Sequence, residues 1–99
     1  MTLEQSLKLT HELRELLGES PCLNKYALSR FQEIGDVFRA DPDSDNNIKE
    51  KAKEVSIWAN YWFSQTKWQQ FSLSPEQFKV AWMLTSIQKL ESALKSALV

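Results

Sequence analysis

An all-α fold is what this sequence predicts: a single helical domain over residues 1–99, arranged like a four-helix bundle, with the third and fourth helices as a long antiparallel hairpin. Three observations carry that expectation. Apolar residues recur at spacings of three and four in four separate segments. Capping residues and helix breakers bound those segments. No alternation of period two, the mark of a half-buried strand, competes with them.

The first helix reads from about Thr2 to Leu17. Thr2 is a good N-cap and Gln5 stands three residues later, the spacing of a capping box. Leu3, Leu7, Thr10, Leu13 and Leu17 form one stripe, and Gly18 is placed to close the helix in the left-handed conformation. The second helix opens at Ser20-Pro21, since proline at the first helical position lacks an amide hydrogen that would go unpaired there anyway. Leu23, Ala27, Phe31, Ile34 and Phe38 share its apolar face. Gly35 is interior and costs about 1 kcal/mol against alanine, which points to close approach of a neighbouring helix.

The run Asp41-Pro42-Asp43-Ser44-Asp45-Asn46-Asn47 breaks the pattern and reads as a loop. The third helix is expected to start at Asn47, with Glu50 completing a second capping box, and to reach Phe71. The strongest local signal follows: Ser74 as cap, Pro75 after it, Gln77 at the third helical position, and Leu73 and Phe78 as a hydrophobic staple. The fourth helix continues to the C-terminus with Val80, Met83, Leu84, Ile87, Leu90, Leu94 and Leu98 along one side.

On a wheel at 100° per residue the third helix has two apolar faces. Ile48, Ala52, Val55, Trp58, Ala59, Trp62 and Phe63 span a sector of about 140°, as a core face should. Ile57, Tyr61, Trp68 and Phe71 lie opposite. On the fourth helix Phe78 and Trp82 point away from the main stripe. The later helices are also longer, and the excess projects the turn between them by about 8–12 Å beyond the first pair. Ile57, Tyr61, Trp68, Phe71, Phe78 and Trp82 are therefore the candidate protein-binding residues. Three arrangements account for such an aromatic tip: cover by the first two helices, a homodimer interface, or a site for another protein. Aromatic side chains favour the last two because they bury much surface at little entropic cost.

Composition bounds the function class. Apolar residues make up 42% and charged residues 25%, as in a globular domain, and 12 basic against 13 acidic residues give a net charge of −1. That balance draws in neither nucleic acid nor anionic lipid, and no helix opposes a basic face to its apolar one, as membrane-surface binding requires. Cys22 is the one cysteine, so no intrachain disulfide forms. The N-terminal segment lacks the basic start and continuous apolar run of a signal peptide, and no run reaches the roughly 18 residues of a membrane span. A cytoplasmic location is expected.

Each candidate for chemistry lacks a part. Asp41, Asp43 and Asp45 match alternate ligand positions of a calcium loop. However, Asn46 replaces its glycine and Ala52 its closing glutamate. His11 and Cys22 sit about 8 Å apart along an antiparallel pair of helices, too far for a nucleophile and its base. One histidine and one cysteine make a poor zinc site, and Gly18 and Gly35 stand alone and form no phosphate loop.

Nucleic-acid recognition has only weak support. Lys49, Lys51 and Lys53 fan around the third helix. The outward side of the fourth helix (Lys79, Ser86, Lys89, Ser92, Ala93 and Ser96) offers little base-reading potential. The expectation is a non-enzymatic interaction module with no metal, cofactor or small-molecule substrate: an adaptor, inhibitor or regulatory subunit whose partner is another protein or a second copy. A small helical nucleic-acid-binding regulator is the alternative.

Overall fold

The computed structural model describes residues 2–18, 25–63, 77 and 79–97. Its helices are α1 (Leu3–Gly18), α2 (Lys25–Ala40), α3 (Asn46–Phe63) and α4 (Thr85–Ala97), with a π-helical segment, Lys79–Leu84, running directly into α4. The all-α bundle expected from periodicity is what forms, with dimensions of 38 × 22 × 19 Å. Packing is most extensive between α2 and α3, then between α3 and α4, then between α1 and α4, whereas the meeting of α1 and α2 is slight.

The start of α1 follows its capping signal. The Gln5 amide donates to the Thr2 hydroxyl at 3.2 Å, and the Thr2 amide donates to the Gln5 side-chain oxygen at 2.9 Å. Each satisfies a group that the first helical turn leaves open. The end of α1 differs from expectation. Gly18 is the last helical residue, and its backbone does not enter the left-handed region.

The buried residues of α1 are Ser6, Thr10, Leu13 and Leu17, while Leu3 and Leu7 are half-buried. Both hydroxyls reach this position without an unmet partner: Ser6 donates to the Thr2 carbonyl and Thr10 to the Leu7 carbonyl, each at 2.9 Å. Two ion pairs fasten α1 at its flanks. Arg14 reaches Glu91 of α4 at 2.7 Å. The Arg30 guanidinium of α2 grips both oxygens of Glu12, one through Nη2 at 2.9 Å and the other through Nε.

In α2, Ala27, Phe31, Ile34 and Phe38 are buried as the periodicity requires. The Ser20-Pro21 signal and Leu23 lie outside the described residues. At Gly35 the backbone of α2 comes close to α3. A Cβ there would collide with the Ser56 Oγ and would stand 3.6 Å from the Ala52 carbonyl oxygen. Three residues earlier, Gln32 donates to Asn60 at 2.9 Å. The pairings of 32 with 60 and 35 with 56 run in opposite directions, so α2 and α3 are antiparallel.

The cap of α3 is Asp45, not Asn47. The Ile48 amide donates to Asp45 Oδ1 at 2.8 Å, and the helix begins at Asn46. A carboxylate is the better acceptor here because it also meets the positive end of the helix dipole. Ile48, Ala52, Val55, Ala59 and Trp62 are buried along α3. The expected continuation to Phe71 and the Ser74-Pro75 start of the last helix lie outside the described residues.

Met83, Ile87, Leu90 and Leu94 complete the core from the last helix. Ser86 and Ala93, expected to face outward, are buried. The reason is that α4 packs against both α1 and α3, so its buried sector is wider than one stripe.

Two predictions arise at these junctions. The Ser56 hydroxyl is buried and has no hydrogen-bond partner among the described residues, so Gly35→Ala destabilises through the collision while Ser56→Ala does not. The double variant should exceed the native stability by about 1 kcal/mol or more, because alanine is the better helix former and the unmet hydroxyl is gone. Denaturant unfolding of the four proteins measures this coupling, and simple additivity would refute the close approach.

The second prediction concerns pH. Hydrogen bonding to Arg30, opposed by desolvation and reinforced by its charge, holds the Glu12 carboxyl below the usual carboxylate range. A depressed folded pKa contributes stability above the ordinary value and loses it as pH falls through the folded one. Glu12→Gln should therefore cost about 1 kcal/mol near neutrality, with the gap to the native protein closing in acid. A gap independent of pH would count against the pair.

Candidate functional site

The six expected interaction residues divide into two groups. Ile57, Tyr61 and Trp82 are described, whereas Trp68, Phe71 and Phe78 lie outside the described residues, as does the turn expected to project. Ile57 is 40% exposed on the outer surface of α3. Tyr61 and Trp82 are half-buried and pack against the edge of the core.

Trp58, expected only as a core residue, is the joint that links them. Its ring stacks on Trp82 with centroids 4.7 Å apart and planes 30° apart. It meets Tyr61, one turn further along α3, at 5.4 Å and 41°. Offset stacking and tilted contacts of this kind suit the charge distribution of aromatic rings and contribute about 0.5–1.5 kcal/mol beyond area burial.

The positions of these rings follow from the chain. Residues 58 and 61 are three apart on a helix, so their side chains are neighbours whichever way the wheel is divided. Trp82 stands one turn before Ser86, on the side of the last helix that faces α3. It lies within the π-helical segment, where hydrogen bonds span five residues instead of four. The wheel set Trp82 apart from the stripe of Ile87 and Leu94. The structure shows that α3 covers this second side, through Trp58.

Two surfaces went unread in the sequence. Tyr26 is 75% exposed beside the Glu12–Arg30 clasp. Leu3, Leu7 and His11 line a shallow, largely apolar trough of about 630 Å³ on the outside of α1. Their spacing of four residues was visible. It was read as part of the core stripe because leucine at that spacing normally faces inward.

The candidates for chemistry fall into ordinary structural roles where they are described. Asp41 Oδ1 accepts the Asp43 amide at 3.1 Å, and Asp45 caps α3, so two of the three loop carboxylates organise backbone. His11 is exposed and lies 2.9 Å from Glu15, one turn along the same helix. Cys22 lies outside the described residues. Among the described residues no three histidine, cysteine, aspartate or glutamate side chains converge to hold a metal ion. No described helix is long and apolar enough to cross a membrane.

The stacked pair has a spectroscopic consequence. Two indoles at this separation couple their transitions, so the native protein should show an exciton couplet in far-ultraviolet circular dichroism. Trp58→Phe and Trp82→Phe should each abolish it, while Trp62→Phe leaves it in place. A couplet that survives in Trp82→Phe would mean that these rings do not stack.

Comparison with known proteins adds no relative: no family model, curated protein or solved structure matches this chain.

Proposed function

We propose that the chain is a non-enzymatic protein–protein interaction module, an adaptor, inhibitor or regulatory subunit. It would bury the aromatic surface between its third and fourth helices against another protein or a second copy of itself. The observation that carries this reading is the placement of exposed Ile57 on the same helix as Trp58 and Tyr61, which form a half-buried cluster with Trp82 of the neighbouring π-helical segment. A rigid aromatic group beside an exposed β-branched side chain offers apolar area with little further entropy to lose on binding. Trp68, Phe71 and Phe78 extend the proposed surface on sequence grounds.

Ile57 gives the cleaner test, because it is exposed and contributes little to the core, whereas Trp82 supports the fold as well. Ile57→Asp combined with Trp68→Ala should abolish association in sedimentation equilibrium or in capture of a partner. Helical circular dichroism should stay at the native level. Loss of helix in Ile57→Asp alone would place this residue in the core and remove the reading. Association that persists in the folded double variant would move the interface elsewhere.

A further inference from the structure

The groove between α3 and α4 is chemically unlike the aromatic cluster. It is a shallow, open depression of about 470 Å³. Asn47 and Lys51 of α3 form one wall, and Gln88, Lys89, Ser92 and Ser96 of α4 form much of the other. Every lining residue except Ala93 carries a polar side chain, and none is a carboxylate.

All the polar groups on these walls can donate hydrogen bonds. The two ammonium groups only donate, the amides of Asn47 and Gln88 offer two hydrogens each, and serine hydroxyls rotate to suit a partner. Such a set matches a ligand rich in acceptor oxygens. The two positive charges select an anion over a neutral polyol, since hydrogen bonds between charged partners are about twice as strong as neutral ones.

Lys51 also faces Glu54, one turn along α3 and outside the lining. The Glu54 carboxylate oxygen lies 3.7 Å from the Lys51 Nζ, a loose contact that leaves Lys51 hydrogens for another acceptor. Lysine serves phosphate as a mobile point charge and does not need the fixed fork of arginine. Ala93, buried on α4, lies in the lining between the two walls.

We propose that this groove binds the phosphate group of a small phosphorylated ligand, held between Lys51 and Lys89 with Ser92, Ser96 and the two amides completing its hydrogen bonds. The site is independent of the aromatic surface, so either can fail without the other.

The test is a titration of the full chain with inorganic pyrophosphate, followed by amide NMR and matched in ionic strength with sodium chloride. Saturable shifts at Lys51, Lys89, Ser92 and Ser96 are expected. Lys51→Gln combined with Lys89→Gln should weaken binding at least tenfold, and Lys51→Arg with Lys89→Arg should retain most of it. Three results would overturn the proposal: shifts that sodium chloride reproduces, affinity unchanged in the folded glutamine variant, or no saturation. A single-stranded oligonucleotide is the parallel probe. Steeply salt-dependent oligonucleotide binding through the same lysines, without saturable pyrophosphate binding, would overturn it in favour of a nucleic-acid surface.

Discussion

Helix α3 must be apolar on two sides at once, because α2 packs against one and α4 with its π-helical lead-in against the other. Most of the architecture follows from that constraint. The side toward α2 is built for closeness, with Gly35 set against Ser56 and Ala52. The side toward the last helix is built for breadth, with Trp58 laid on Trp82. A glycine contact and an aromatic stack solve opposite problems, one removing volume and the other filling it. Trp62 of the same helix is fully buried.

The same constraint accounts for the indoles at Trp58 and Trp82. A helix flanked on one side buries a single stripe, and small aliphatic residues fill it well. A helix flanked on two sides needs large groups where the neighbours diverge, and an indole covers such a wedge with a single rigid ring. Trp58 and Trp82 are therefore structural and surface groups together. They support the fold through their stacked faces and remain half-buried on the helix that carries Ile57 and its neighbour. The groove proposed to bind phosphate elsewhere on the same α3–α4 seam differs in its side chains, which are hydrogen-bond donors except at Ala93.

Periodicity was enough to read the helices, since a 3.6-residue repeat acts over many positions and tolerates a few exceptions. The Thr2–Gln5 box was equally legible, because both partners lie within one turn and no tertiary contact can displace them. The α3 cap was missed by two residues. Asp45 and Asn47 are both good caps locally, and the choice between them depends on the dipole and on where the loop leaves α2. Gly18 was misread because glycine near a helix end permits the left-handed conformation without requiring it. Ser86 and Ala93 illustrate the larger limit. Small residues look indifferent to burial in a sequence, yet they are what a helix needs where a neighbour presses closely. The link between Trp58 and Trp82 was hidden for a related reason. A wheel describes one helix at a time, and a contact between two wheels depends on their relative rotation.

The way α1 is held has a consequence for motion. Its inward face is half hydroxyl, its meeting with α2 is slight, and its flanks rest on ion pairs that water partly reaches. Stability in such a chain is graded and not uniform. Amide exchange is expected to be slowest in the α2–α3–α4 layer and faster along α1. Opening of α1 would bare the face of α4 that it covers, beside the Arg14–Glu91 pair.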